Sequence, residues 1–280
     1  MARLNGIWGL PYVDLSPFVD TSDFGEIDEE IGYELSGMET TYTGGSLQSM
    51  GVAAPWVVGD EYRDLGHVIA TLDDAALARL LRLADPPLEM SLSQARRCKF
   101  GDETDHPLSR RQMLYLEQRH GVYFPWKVMV DLLPNRRWED KHSGEGKDFT
   151  DQAKRALPRL LRFIRRLPMT QVGRCTLFGL QPNDHATLHR DTEPEPGREA
   201  CHCINFSPRG NKRFYLTDDE GGSYTEVAAK IFWFNDMDYH GVEAAPCFRY
   251  SIRVDGVFEP SFLERLRRDI ESARRSYGRS

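Results

Sequence analysis

The segment LQPNDHATLHRD (Leu180 to Asp191) ends in a histidine and an aspartate two residues apart, His189 and Asp191. It leaves a candidate strand through a Pro-Asn-Asp turn, and side chains two apart on extended backbone point to the same side. An imidazole nitrogen and a carboxylate oxygen can therefore grip one metal ion from one short loop. A second histidine brought in by the fold would complete a two-histidine, one-carboxylate face, a set that binds iron(II) and leaves positions open for substrate and oxygen. His240 is the best candidate, since it follows the strand KIFWFND and a turn (Asp236 to Tyr239) and would lie at the mouth of a barrel. An HxD alone is weak evidence, because the two residues fall at that spacing by chance in many chains. The segment FRYSIRVDG (Phe248 to Gly256) strengthens it. Arg249 and Ser251 share a strand face nine residues after His240, and a guanidinium fork with a hydroxyl suits the carboxylate of a metal-chelating co-substrate.

These residues need a scaffold that brings distant segments together. From Gln171 onward the chain runs in short alternating stretches separated by Gly, Pro, Asn and Asp. Candidate strands are Val172 to Leu180, Ala200 to Ser207, Arg213 to Thr217, Ser223 to Ala228, Lys230 to Asn235 and Cys247 to Phe258, a pattern of antiparallel sandwiches and barrels. Val122 to Leu133 also reads as a strand, despite Pro125. Helices are expected over Leu72 to Ala84, behind two aspartates, and over Ser109 to His120, with Ser109 as N-cap and Gly121 as stop. Asp148 to Leu167 is helical with a kink or split at Pro158, and a last amphipathic helix covers Pro260 to Tyr277. Residues before about 70 show little periodicity beyond apolar pieces such as Val52 to Val58, and their pattern assigns them no role.

At 280 residues, with 40% hydrophobic and 28% charged residues, the chain has the make-up of a soluble globular protein able to bury a substantial core. A net charge of -7 argues against a nucleic-acid surface, and the basic runs Arg159 to Arg166 and Arg265 to Arg275 read as solvated helix faces. Five cysteines at irregular spacing do not make a disulfide framework and fit a reducing cytoplasm. The sequence carries no signal-peptide pattern and no run of 18 apolar residues, so the expected location is cytoplasmic and no membrane partner is expected.

An HxD, a distal histidine and an RxS carried on short strands together resemble the double-stranded β-helix (jelly-roll, cupin-like) oxygenases that depend on iron(II) and 2-oxoglutarate. Within them the likeness is to the aspartyl/asparaginyl β-hydroxylase-like group, which includes bacterial proline hydroxylases. It covers roughly Trp126 to Phe258 and rests on LQPNDHATLHRD, KIFWFNDMDYHGVE and RYSIRVDG. The resemblance implies a mainly β, α+β fold: a jelly-roll core over 122–258 with flanking helices, an N-terminal region over 1–121 that shapes the substrate lid, and a C-terminal helix over 259–280. It implies iron held by His189, Asp191 and His240, with Arg249 and Ser251 on the distal carboxylate of 2-oxoglutarate. With O2 as oxidant, the implied activity is a dioxygenase that hydroxylates a C–H bond of an amino acid or an amino-acid-derived or peptidyl substrate, releasing succinate and CO2. An aspartate at 191 argues against a halogenase, in which a small residue makes room for chloride.

In one place the pattern departs from the family. Members often carry Arg-x-His on the strand after the HxD, and here that stretch is Ala200-Cys201-His202. His202 is retained and is expected to face the site beside the co-substrate, with Cys201 and Cys203 turned into the core. Arg198, on the same strand parity, or Arg174, on the preceding strand, stands in for the missing arginine. Asn205, Asn235 and Trp233 or Phe232 are further pocket candidates.

Taken singly, each residue has an ordinary structural explanation. His189 and Asp191 could orient a surface loop, His240 could belong to a turn, and Arg249 could pair with Asp255. His185, four before His189, would suggest a zinc pair only on a helix, which Pro182 disfavours. The alternative functions are a cupin-like module with another metal, for which a third histidine near the first is missing, and a catalytically silent binding module, for which a lost ligand would be the sign.

Overall fold

The computed structural model describes residues 4–38, 52–53, 65–98, 100, 106–124, 128–135, 138–218 and 224–277. Its centre is a pair of antiparallel sheets. The strands are β1 (Tyr12–Asp14), β4 (Val128–Leu133), β5 (Met169–Leu180), β6 (Ala186–His189), β7 (Cys203–Phe206), β8 (Phe214–Thr217), β9 (Tyr224–Glu226), β10 (Ile231–Phe234), β11 (Tyr239–Val242) and β12 (Arg249–Phe258), with β2 (Val52–Ala53) and β3 (Val122–Tyr123) forming a separate ribbon. The larger sheet runs β1-β10-β7-β12-β5-β4 and the smaller β6-β11-β8-β9. The expected strand over Val122 to Leu133 is two strands, with residues 125–127 outside the described residues. Of Val52 to Val58 only the first two residues are described.

Alternation along the strands sorts the larger sheet into two faces. On one, Phe206 of β7 stacks on Phe24 of α1 (Phe24–Glu34) and packs on Phe163 of α7 (Pro158–Ile164), while the Tyr250 hydroxyl of β12 donates to Asp28 Oδ1 at 2.6 Å. Phe258 packs against Phe262 of α8 (Pro260–Tyr277) on the same cluster. On the other face Ser251 and Arg253 of β12, Phe178 of β5, Asn205 of β7 and Phe234 of β10 line a cavity shared with β6, β8 and β11. The sheets thus face each other across a partly polar interior. Truncating a buried ring such as Phe206 to Ala would cost about 3–5 kcal/mol.

Pro158 acts as expected: it has no N–H to give and starts a new helix, so α6 (Asp151–Ala156) ends and α7 begins. The helices α3 (Asp74–Arg82) and α5 (Arg110–His120) form where the pattern placed them, capped by the Asp73 carboxylate and the Ser109 hydroxyl, and Gly121 closes α5 at φ 68°. With α2 (Leu65–Ala70) and α4 (Leu92–Ala95) they enclose a second apolar cluster around Leu77, Leu80 and Leu116. Residues 4–35 belong to the main body. β1 extends the large sheet on β10, and Phe24, Ile27 and Ile31 of α1 enter the main core, a spacing hidden in an acidic stretch. No helix among the described residues is long and apolar enough to cross a membrane.

Candidate metal centre

Histidines 189 and 240 meet because β6 and β11 pair antiparallel with the two as direct register partners. Their ring centroids are 4.3 Å apart. Asp191, just past the end of β6, brings Oδ1 to 3.5 Å from His189 Nε2 and 3.7 Å from His240 Nε2. The ligand atoms of this trio, two buried histidines and a partly buried aspartate, lie within 4.8 Å of one another. His240 Nδ1 lies 2.9 Å from the Asp238 carbonyl oxygen, which can only accept, so the ring's proton sits on Nδ1 and the Nε2 lone pair is turned to the other two ligands. Burial, aided by His189, pushes the His240 pKa down to about 3, which keeps the ring neutral and able to ligate.

One loop, Asn235 to Asp238, holds the trio in place. The Asp191 amide donates to the Asp236 carbonyl at 3.0 Å, while the Asp236 carboxylate takes the Lys141 ammonium at 3.2 Å and the Thr192 hydroxyl at 2.9 Å. Asp238 is anchored in turn by the amides of Asn5 and Gly6. On the far side, Arg253 pairs with Asp191 Oδ2 and donates from Nε to Asp255 Oδ1 at 3.0 Å. Burial alone would raise the Asp191 pKa, but Arg253 and the two imidazoles hold it well below the usual range. One oxygen therefore faces the imidazoles while the other is committed to a guanidinium. Two imidazoles and one ionised carboxylate converging on a point fit a divalent cation such as iron(II).

Some of the residues picked from sequence lie elsewhere. Arg249 is fully buried, and its terminal nitrogens donate to the main-chain carbonyls of Ala245, Cys247, Asp184 and Glu243. It braces the loops before β6 and before β12, and it does not line the cavity. Nor does it pair with Asp255, whose partner is Arg253. The cation against Ser251 inside the cavity is Lys212, which donates to Ser251 Oγ. Burial, aided by the charge of Arg249, brings the Lys212 pKa down to about 7.

His202 and the cysteines alternate as expected, and Cys203 is buried in the main core with Cys201 packed against it, but His202 does not face the cavity. Cys203 shares its side with Asn205, and the group Cys201, Cys203 and Asp255 lies beside Arg253. His202 stacks on Phe258 and accepts the Phe258 amide at Nδ1, lining an outer groove away from the metal trio. Trp233 lies in that same groove, its indole N–H on the Cys201 carbonyl, because Phe232 and Phe234 take the inward parity of β10 and Phe234 reaches the cavity. Arg198 is on the surface beside Glu195 in the same groove, and Asn235 serves the 235–238 loop. Arg174 and Asn205 do line the cavity, with Phe178 and Phe214. His185 sits in the loop before β6, outside the trio. Sequence reasoning passed over Lys212 and Arg253. Arg253 could have been found, since it continues the Arg249, Ser251 parity by one more step.

No protein-family model matches the chain, and no curated protein matches it in sequence. Solved structures similar to parts of it include an oxidoreductase of the 2OG-Fe(II) oxygenase family from Burkholderia pseudomallei, at 12% identity and TM-score 0.30 over 45% of this chain and 66% of that one. A prolyl-4-hydroxylase from Pseudomonas putida aligns at 11% identity and TM-score 0.26, over 39% of this chain and 66% of that chain. A prolyl hydroxylase from Trichoplax adhaerens, in complex with a hypoxia inducible factor oxygen degradation domain peptide fragment, aligns at 13% identity and TM-score 0.29, over 51% of this chain and 69% of that chain.

Proposed function

We propose that this chain is an iron(II)- and 2-oxoglutarate-dependent dioxygenase that hydroxylates a C–H bond of an amino acid or an amino-acid-derived or peptidyl substrate. The observation that carries the proposal is the trio itself: His189 Nε2, His240 Nε2 and one oxygen of Asp191 converge, buried, between two antiparallel sheets, in a cavity also lined by Arg174, Lys212 and Arg253. We take the two sheets as the halves of a double-stranded β-helix with the ligands at one end.

Iron(II) with 2-oxoglutarate and O2 supplies oxidation of an unactivated C–H bond, with release of succinate and CO2. The protein's part is to bind and orient. His189, His240 and Asp191 Oδ1 would hold the ion, and a set of only three protein ligands would let co-substrate and oxygen bind it too. Arg253 holds Asp191 Oδ2, so the carboxylate would offer the ion its other oxygen alone. The cationic cavity attracts a dianionic keto acid, and Phe178, Phe214 and Phe234 exclude water around it. Arg174 and Asn205 are the candidates for touching the substrate. The helical unit α2–α5 is our candidate lid, and a cytoplasmic setting fits the free cysteines.

Adding iron(II) and 2-oxoglutarate without air should produce a weak charge-transfer band in the green part of the spectrum. Admitting air with a panel of amino acids and peptides should then give substrate-dependent succinate. A protein that gives neither band nor succinate is not this enzyme.

A further inference from the structure

We infer that Lys212 and Ser251, not Arg249, bind the distal carboxylate of the keto-acid co-substrate, with Arg249 as a framework cation behind them. The inference rests on the proposed function and specifies the residues that read the co-substrate. Three observations lead to it.

The first is the state of Arg249. Both terminal nitrogens of its guanidinium donate to main-chain carbonyls from two loops, at 2.6 to 3.2 Å. A bidentate grip on a carboxylate would take these donors away and leave buried carbonyls without them, which costs more than a new bond returns. Removing Arg249 would therefore unsettle the loops carrying Asp184 and Glu243.

The second is the placement of Lys212. It lies just before β8, a strand of the sheet opposite Ser251, and lines the cavity with Phe214. Its ammonium contacts the Ser251 hydroxyl and lies 5.8 Å from the Phe178 ring centroid. A carboxylate between the two would receive a charged donor and a hydroxyl donor in a mostly apolar surround, where such bonds are strong. Desolvation beside a second cation is costly for the ammonium, as its lowered pKa records, and an arriving carboxylate relieves that cost.

The third is reach. Ser251 and Arg253 are adjacent on one face of β12, roughly 7 Å apart along the strand. Arg253 marks the level of Asp191 and therefore of the metal. A five-carbon diacid chelating at that level extends toward the Ser251 row, whereas Arg174, across from Asp255 in the β5–β12 register, lies in the opposite direction.

The test compares 2-oxoglutarate with 2-oxobutyrate, a keto acid without the distal carboxylate, binding to anaerobic iron(II)-loaded protein, read by the charge-transfer band and by calorimetry. Wild type should prefer 2-oxoglutarate. Lys212→Met should weaken 2-oxoglutarate binding by about 10- to 100-fold and leave 2-oxobutyrate unchanged. Ser251→Ala should do the same more mildly, and Lys212→Arg should recover part of the loss. If Lys212→Met and Ser251→Ala bind 2-oxoglutarate as wild type does, or lose both acids equally, the assignment is overturned while the oxygenase proposal stands. If wild type itself binds neither acid, the oxygenase proposal falls and this assignment with it.

Discussion

His189 and His240 face each other as register partners across the β6–β11 pair, with ring centroids 4.3 Å apart. Two imidazoles held so close, with Asp191 Oδ1 against both, make a group that could hold a metal ion, and the following expectations start from it.

Metal binding should stabilise the fold. A divalent ion at 100 times its dissociation constant adds about 2.7 kcal/mol to a folded state that alone binds it. Thermal melts with and without iron(II), or cobalt(II) as an air-stable substitute, should show a clear rise in Tm for wild type. His240→Ala and His189→Ala should show none. An equal rise in these variants would place the ion elsewhere.

Arg253 should matter to both metal and fold. It lies between the buried carboxylates of Asp191 and Asp255. Arg253→Met would leave them without their shared cation, at a cost of about 3–5 kcal/mol. It should also loosen the metal by about 10- to 100-fold, as losing a ligand's hydrogen-bond partner typically does. Cobalt titration and urea unfolding measure the two effects, and an unchanged metal affinity would show that Asp191 needs no such support.

Co-substrate binding should weaken as pH rises. Below about 7 Lys212 is charged in the unliganded protein, and above it the ammonium loses its proton. A bound carboxylate raises that pKa, so above pH 7 binding takes up a proton, and the Kd should grow by about tenfold per pH unit until the bound-state value is reached. The other charged groups around Lys212 do not produce this slope. Arg253 stays charged and Asp191 ionised across this range, and His189 and His240 would be committed to the ion in the loaded protein. Calorimetry in buffers of different ionisation enthalpy should report the proton uptake, and Lys212→Arg should abolish it.

Two glycines should respond in opposite directions. A Cβ on Gly256, at the β12 bulge, would stand 2.1 Å from the Gln171 carbonyl oxygen, so Gly256→Ala should destabilise by at least about 1–3 kcal/mol. Gly32 is exposed within α1 with nothing closer than an Arg209 nitrogen at 4.0 Å, and Gly32→Ala should stabilise by about 0.5–1 kcal/mol. Denaturant midpoints of the two variants should move apart.

Much of this could be read in the chain before any coordinates. The two-residue spacing of His189 and Asp191 put both on one side of an extended segment. The short alternating runs after Gln171 announced antiparallel strands, and Ser109, Gly121 and Pro158 set their helix ends through hydrogen-bond capacity and φ preference, which are local properties. Alternation also separated His202 from Cys201 and Cys203. It could not say which set faces inward, because that depends on which side of the sheet the helices cover. The helix α1 was missed because its three apolar residues lie among acidic ones.

What only the tertiary structure decided are contacts between residues far apart in sequence. Arg249 and Lys212 are both cations near Ser251, and nothing local distinguishes the one whose donors are taken by main-chain carbonyls from the one that enters the cavity. Likewise Arg253 reaches Asp191 from 62 residues away, and the 235–238 loop holds Asp191 through a carbonyl, a group every residue has. Residue type and spacing named the metal trio, since its chemistry resides in side chains. The groups that orient the trio, and those proposed to read a co-substrate, depend on strand register and loop closure, which arise only when the sheets pack.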